Sequence, residues 1–193
     1  MQQVTDTFGS FSAKAPDYFR QLVSGFAVTA SLVCDEIGNT ISSDGSSSGL
    51  GNETDLALLV AMRRQAQVIV TSGRTLRADN YRFPKSADLA VLTNQQFEIH
   101  APEGQKLIVA NSGYEQLIQQ LSTSGYTRMH VEYGVTGIKE LIEGNALDAL
   151  LLSSKKRSGV EALSRELKVL PIIIQLDDLY VGLVAWHSET ASS

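Results

Sequence analysis

The sequence has little of what metal sites, disulfides and membrane spans are made from. It contains one cysteine, Cys34. No disulfide can close within these residues, and a reducing, cytoplasmic setting is expected. Cys34 itself is expected to pack as a small hydrophobe beside a strand. The histidines are His100, His130 and His187. No two of them stand at metal-ligand spacing and there is no CxxC, so neither a metal site nor a thiol–imidazole pair is expected. No run of about 18 apolar residues occurs, which argues against a membrane-spanning helix. The first residues place Asp6 early and lack a basic stretch followed by an apolar one, so they do not read as a signal peptide. The net charge of −5 argues against the basic stripe of a nucleic-acid surface. A local basic pocket for a phosphorylated small molecule stays compatible with it. The GxGxxG dinucleotide fingerprint is also missing.

What is present points to an α/β enzyme. The 193 residues, 43% of them hydrophobic, suit one domain with a real core. Residues 1–15 are polar and are expected to form an arm, 16–188 the domain and 189–193 a tail. A short helix is expected around Pro16 to Leu22. Strands are expected at Phe26–Val33, Val68–Thr71, Asp88–Thr93, Lys106–Ala110, Arg128–Glu132, Asp148–Ser153, Pro171–Gln175 and Tyr180–Trp186. Helices are expected at Thr54–Gln67, Tyr114–Ser122 and Thr136–Glu143. The first would be capped by Asn52 or Thr54 and carry an apolar face including Leu56, Leu59, Val60 and Met62. Asp177-Asp178 marks a turn. Strand–helix alternation implies a largely parallel sheet covered on both faces, with an antiparallel C-terminal pair.

Three segments lie where such sheets bind ligands, beyond the carboxyl ends of strands. The first is the long Gly/Ser loop within Asp35–Gly51, whose hydroxyls and exposed N–H groups suit phosphate or ribose oxygens. The second is Thr71–Asp79, where a strand ends, Gly73 turns the chain and a helix begins. Free N–H groups at such a terminus bind anions, and Arg74 and Arg77 add positive charge. The third is Glu132–Gly137, again strand, glycine and helix. Its carboxylate can hold a heterocycle's N–H groups or move protons. Each segment also has an ordinary structural reading, as a linker, a strand–helix junction or a solvated strand end.

Taken together, Asp44-Gly45 with Ser47 through Asp55, Met62 through Asp79, and Val131-Glu132-Tyr133-Gly134 through Leu141 resemble the bacterial riboflavin-biosynthesis reductase domain. That family acts on 5-amino-6-(5-phosphoribosylamino)uracil. The resemblance runs from about Phe26 to Ser154. It implies a dihydrofolate-reductase-like three-layer sandwich, NADPH as cofactor, a phosphorylated pyrimidine as substrate and a homodimer, expected to pair through Leu179 to Trp186. Carried over by position, the substrate side would use Ser47, Arg63, Asp79 and Glu132. Arg63 would meet the substrate phosphate, and Asp79 and Glu132 would hold polar edges and serve as catalytic groups. The cofactor side would use Ala30, Gly49, Thr75, Asn94, Gly134, Val135, Thr136 and Gly137. The resemblance further implies hydride transfer to C1′ of an opened ribosylamino group.

The chain departs from the family pattern in several places. Tyr133-Gly134 stands where two glycines are usual, and a side chain there is expected to obstruct a pyrophosphate or to alter a strained peptide. Ser31 to Glu36 blurs the Ser-x-Asp-Gly after the first strand, no Trp lies near Gly49, and Lys155-Lys156-Arg157 replaces a Gly-rich stretch. Two alternatives stay open: a non-catalytic member that binds a nucleotide or partner, and an unrelated α/β protein with similar turns. No His/Cys zinc signature of a deaminase partner is present.

Overall fold

The structure is a computed structural model that describes residues 25–79 and 81–186. The expected arm, the helix around Pro16 and the tail lie outside these residues. The strands are β1 (Val28–Cys34), β2 (Val68–Ser72), β3 (Asp88–Leu92), β4 (Leu107–Ala110), β5 (Met129–Glu132), β6 (Ala149–Ser154), β7 (Ile172–Leu176) and β8 (Leu179–Ala185). The helices are α1 (Glu53–Gln65), α2 (Gly73–Ala78), α3 (Tyr114–Thr123), α4 (Val135–Glu143) and α5 (Arg157–Leu167).

The strands form one eight-stranded sheet in the order β4-β3-β2-β5-β1-β6-β8-β7. The first six in that order run parallel. Only β8 runs against its neighbours β6 and β7. The central strands read as near-continuous apolar runs because helices cover both faces. Val68, Ile69, Val70, Leu150 and Leu152 are wholly buried. The main core fills the layer against α3, α4 and α5, with Leu117, Ile138, Leu141, Val160 and Leu163 at its centre.

Two points differ from the sequence reading. First, α1 buries Leu58, Ala61 and Met62, while Leu56 is exposed. The buried residues sit three and four apart on one face, and Leu56 points off it. Second, α5 was not anticipated. Val160, Leu163 and Leu167 mark its apolar face at helical spacing, but a lysine-arginine start obscures it. The segment Leu179 to Trp186, expected to carry a dimer contact, holds β8, an inner strand of the sheet. Both of its edges are already paired, with β6 and with β7. Among the described residues the edge strands are β4 and β7, and Leu170 and Ile172 are exposed beside the latter. The β7–β8 turn forms at Asp177-Asp178, with Asp177 at φ 51°, a left-handed conformation that a short polar side chain tolerates.

No helix among the described residues is long and apolar enough to cross a membrane.

Candidate active site

A cleft of about 810 Å³ opens over the carboxyl ends of the central strands. Ser47, Arg63, Thr75, Asp79, Asn94, Glu132, Gly134, Val135, Thr136 and Gly137 all line it. The crossover at β1, from which neighbouring strands lead off in both directions, makes such a cleft a property of the topology. Ala30 and Gly49 do not line it. Ala30 is fully buried between β5 and β6, and Ser31, Leu32 and Val33 form the wall in its place. Gly49 sits at φ 85°, and its carbonyl accepts from Lys155 Nζ at 3.0 Å.

The expected substrate residues meet one another. Glu132 accepts from Arg63 Nε at 2.6 Å and Nη2 at 2.7 Å, and from the Tyr81 hydroxyl at 2.8 Å. Arg63 Nη2 also donates to the Tyr81 oxygen at 3.2 Å. This is a two-pronged guanidinium–carboxylate pair, the strongest form of such a bond. Burial works against the Glu132 charge, but the hydrogen bonds and charge of Arg63, with help from His130 and Tyr81, hold the carboxyl below its usual range. Burial, then the Glu132 charge, pushes the Tyr81 phenol well up. Arg63 keeps its proton firmly, because Glu132 outweighs its desolvation.

Behind this cluster His130 is wholly buried. Its Nδ1 lies 3.0 Å from Thr29 Oγ1 and its Nε2 3.1 Å from Ser31 Oγ. Burial pushes the imidazole down to about 4. It is therefore neutral near pH 7, and its 3.9 Å approach to Glu132 is not an ion pair there.

Asp79 fastens the Gly/Ser loop to α2. It accepts from Ser47 N at 2.8 Å and Ser47 Oγ at 3.1 Å. Asp44 folds the same loop from within by accepting from the Ser42 and Ser46 hydroxyls. A segment that reads as a linker is thus tied down by two carboxylates.

The two strand–helix turns differ. At the start of α2, Ser72 Oγ accepts from Thr75 N at 3.1 Å, so the N–H expected to meet an anion is capped by the chain's own side chain. At the start of α4, the N-cap is Gly134 and no side chain caps the turn. Its first N–H groups face the cleft side where Val135, Thr136 and Gly137 line the wall. Gly137 permits a close approach: a Cβ there would lie 2.7 Å from Tyr114 Cε1 and 2.9 Å from Tyr133 Cβ.

Tyr133 contributes to the cleft wall beside this turn but is almost wholly buried. It is 2% exposed and its ring packs edge-on against Tyr114, with centroids 4.7 Å apart. Gly134 follows it in an extended conformation that any residue adopts, with φ −69° and ψ 174°. The Tyr133 hydroxyl has no hydrogen-bond partner among the described residues.

The residues missed from the sequence are Tyr81, Arg82, Asp55 and Ser153 on the cleft wall and His130 beneath it. Tyr81 and Arg82 directly follow the singled-out Arg-Ala-Asp stretch, which was the available signal. His130 stands two residues before Glu132, on the same side of its strand. Four arginines (63, 74, 77 and 82) line the cleft against three carboxylates (55, 79 and 132). The cleft is therefore locally more basic than the chain. Among the described residues, no group of His, Cys, Asp and Glu is placed to hold a metal ion.

No family model matches the sequence, and no curated protein matches it significantly. Solved structures do. A pyrimidine reductase-like protein from Corynebacterium diphtheriae superposes with a TM-score of 0.65 at 16% identity, over 85% of this chain and 94% of that one. The chain has the dihydrofolate-reductase-like fold. A deaminase/5-amino-6-(5-phosphoribosylamino)uracil reductase from Thermotoga maritima gives a TM-score of 0.58 at 14% identity, over 82% of this chain and 56% of that one. Dihydrofolate reductase from Enterococcus faecalis, complexed with NADP(H), gives 0.52 at 15% identity, over 82% of this chain and 95% of that one. At these identities the likeness speaks for the fold.

Proposed function

We propose that the protein is an NADPH-dependent reductase of the riboflavin-biosynthesis type, acting on a phosphorylated pyrimidine and converting its ribosylamino group to ribitylamino. The observation that carries this reading is the uncapped N-terminus of α4 beside a basic cleft, on a fold shared with reductases. The residues fit a dinucleotide. Val135, Thr136 and Gly137 would offer their N–H groups to its pyrophosphate, with Gly134 leaving the approach open. Thr75 and Asn94, at the ends of β2 and β3, would flank its ribose. Ala30 and Gly49, which do not line the cleft, are left out of this proposal.

Bound NADPH supplies a hydride. That hydride would go to C1′ of an opened, imine-like ribosylamino group, with the proton on its nitrogen drawn from solvent water. The chain's own work is to orient and to exclude water. Asp79 holds Ser47 over the cleft. Glu132, kept deprotonated by Arg63, braces the floor of the cleft with its acceptors taken by Arg63 and Tyr81, and does not serve as a proton donor. Arg63 has both of the donors it shares with Glu132 committed, so Arg74, Arg77 and Arg82 are better placed than Arg63 to receive a phosphate.

A second reading is a non-catalytic member that binds a nucleotide or a partner. It draws support from the Arg63–Tyr81–Glu132 cluster, whose members satisfy one another without a ligand. NADPH titration followed by cofactor fluorescence tests both. Saturable binding, with hydride consumption in the presence of the phosphoribosylamino pyrimidine, supports the reductase. No binding at millimolar cofactor overturns it. A homodimer stays part of the proposal, with its contact moved to the β7 edge; a monomeric mass by light scattering would remove it.

A further inference from the structure

One line of polar side chains runs from the core to the cleft floor and has no part in the proposed reaction. Ser31, on β1, is half-buried and lines the cleft. Its Oγ lies 3.1 Å from Nε2 of His130, on the neighbouring strand β5. His130 is wholly buried, and its Nδ1 lies 3.0 Å from Thr29 Oγ1. Thr29 Oγ1 in turn donates to the Met129 carbonyl at 3.3 Å. Thr29 and Ser31 stand two residues apart on one strand, so both face the same side of the sheet and the imidazole spans them. Of the three side chains, Ser31 alone lines the cleft.

The line has a direction, because it ends on a carbonyl, which can only accept. Thr29 gives its one hydrogen to Met129. Its oxygen therefore accepts from His130, and the imidazole proton sits on Nδ1. Burial pushes the ring down to about 4, so it carries a single proton near neutral pH. Nε2 is then an acceptor, and the Ser31 hydrogen points to it. All three bonds are made in this arrangement. The opposite tautomer breaks the Thr29–Met129 bond and turns the Ser31 hydrogen outward, so it makes one bond fewer within the chain. The charged groups facing the ring are Glu132 and Arg63. The Glu132 carboxylate, 3.9 Å from Nε2, draws the proton toward that side. Its two-pronged pairing with Arg63 offsets the pull.

The consequence reaches the cleft. A serine hydroxyl ordinarily rotates and serves as donor or acceptor by turns. With its hydrogen committed to His130, Ser31 offers only lone pairs. No other side chain among the described residues bonds to its oxygen. In the sheet β1 stands between β5, which leads into the α4 turn, and β6. The acceptor therefore sits mid-floor, between the two ends of the cleft. A ligand that places a carbonyl oxygen there sets lone pairs against lone pairs. One that places a hydroxyl or amine hydrogen there completes the line, and each bond in such a chain polarises the next.

We propose that Ser31 is a specificity-determining acceptor on the cleft floor, fixed in that role by His130 and Thr29, and that it selects ligands presenting a hydroxyl or amine hydrogen over ligands of the same shape presenting a carbonyl. His130 and Thr29 are positioning residues, since neither lines the cleft. On the reductase reading the donor would be a hydroxyl of the opened sugar chain, and that choice rests on the reading. The acceptor itself rests on the line of hydrogen bonds.

The test needs no cofactor. Imidazole nitrogen spectra of the full chain near neutral pH should show His130 as one neutral tautomer with its proton on Nδ1. A proton on Nε2 overturns the proposal, because Ser31 would then be free to donate. Isopropanol and acetone are next titrated separately; they share a carbon skeleton, and only the first carries an O–H. Isopropanol should shift the His130 Nε2 signal and acetone should leave it in place. Ser31→Ala should lose the isopropanol response. Equal responses in the native protein, or no response to isopropanol at molar concentration, overturn the proposal without any variant. Thr29→Val keeps nearly the same shape and should lose the single tautomer, with the difference between the two probes narrowed. A tautomer that stays on Nδ1 there counts against the positioning role. NADPH is titrated into the native protein in parallel. Discrimination between the probes without NADPH binding removes the reductase reading alone. NADPH binding without discrimination removes the Ser31 role alone.

Discussion

Two polar regions share one cleft and behave differently. The Arg63–Tyr81–Glu132 cluster, with His130 behind it, satisfies itself: each charged or polar group finds its partner within the chain. The start of α4 does not, since Gly134 brings no capping side chain. The difference teaches that residue type at a promising position is a poor guide to ligand contact. An arginine and a glutamate at the cleft look like binding groups. Together they brace α1 to β5, whereas an unremarkable Gly-Val-Thr-Gly stretch keeps its donors open.

The comparison can be broken at the brace first. Glu132→Ala leaves Arg63 and Tyr81 without their acceptor, and a partly buried guanidinium without its counter-charge is costly. We expect a loss of about 3 kcal/mol in urea denaturation. A loss within the range of a surface substitution would mean that the cluster is not a brace.

Acid sharpens the same point. His130 has a folded value of about 4 against an ordinary 6.5. The unfolded chain therefore binds its proton first as pH falls. Stability tied to His130 is whole above pH 6.5 and is lost between there and pH 4, by roughly 3 kcal/mol. Glu132, held below its usual range, adds a further loss at lower pH still. Denaturation midpoints at pH 7 and pH 5 in the native chain and in His130→Gln provide the check. The drop should be smaller in the variant.

At the other region the two glycines of the α4 turn should part company. Gly137→Ala drives a Cβ into Tyr114 and Tyr133 and should cost about 1–3 kcal/mol. Gly134→Ala meets nothing within 4 Å and should stay within about 0.5 kcal/mol. Equal effects in thermal melts would contradict the close approach. One effect has the opposite sign. Tyr133→Phe removes a buried hydroxyl that lacks a partner and should stabilise the fold by about 1 kcal/mol.

Much of the fold was legible because the sheet writes itself in apolar runs. Val68–Ser72 and Ala149–Ser154 are buried on both faces and stand out in any window. The α5 helix was not seen, since its apolar residues are few and follow a basic stretch. The cleft's membership was largely legible from the turns that follow β2 and β5. Its internal pairing was not. Arg63 and Glu132 are 69 residues apart, and nothing local records that one will be spent on the other. The same holds for Asp55 and Ser153, which meet only because α1 crosses the end of β6. The place of Tyr133 was not legible for a similar reason: its ring packs on Tyr114, where Gly137 leaves room.

The central claim is that the α4 turn takes the cofactor while the brace stays as it is. Amide and side-chain spectra recorded during an NADPH titration address it most directly. The account predicts saturable shifts at Val135, Thr136 and Gly137, extending to Asn94, with the Arg63 guanidinium signal unmoved. No shifts at millimolar NADPH, or shifts centred on Arg63 with the α4 turn silent, would contradict it.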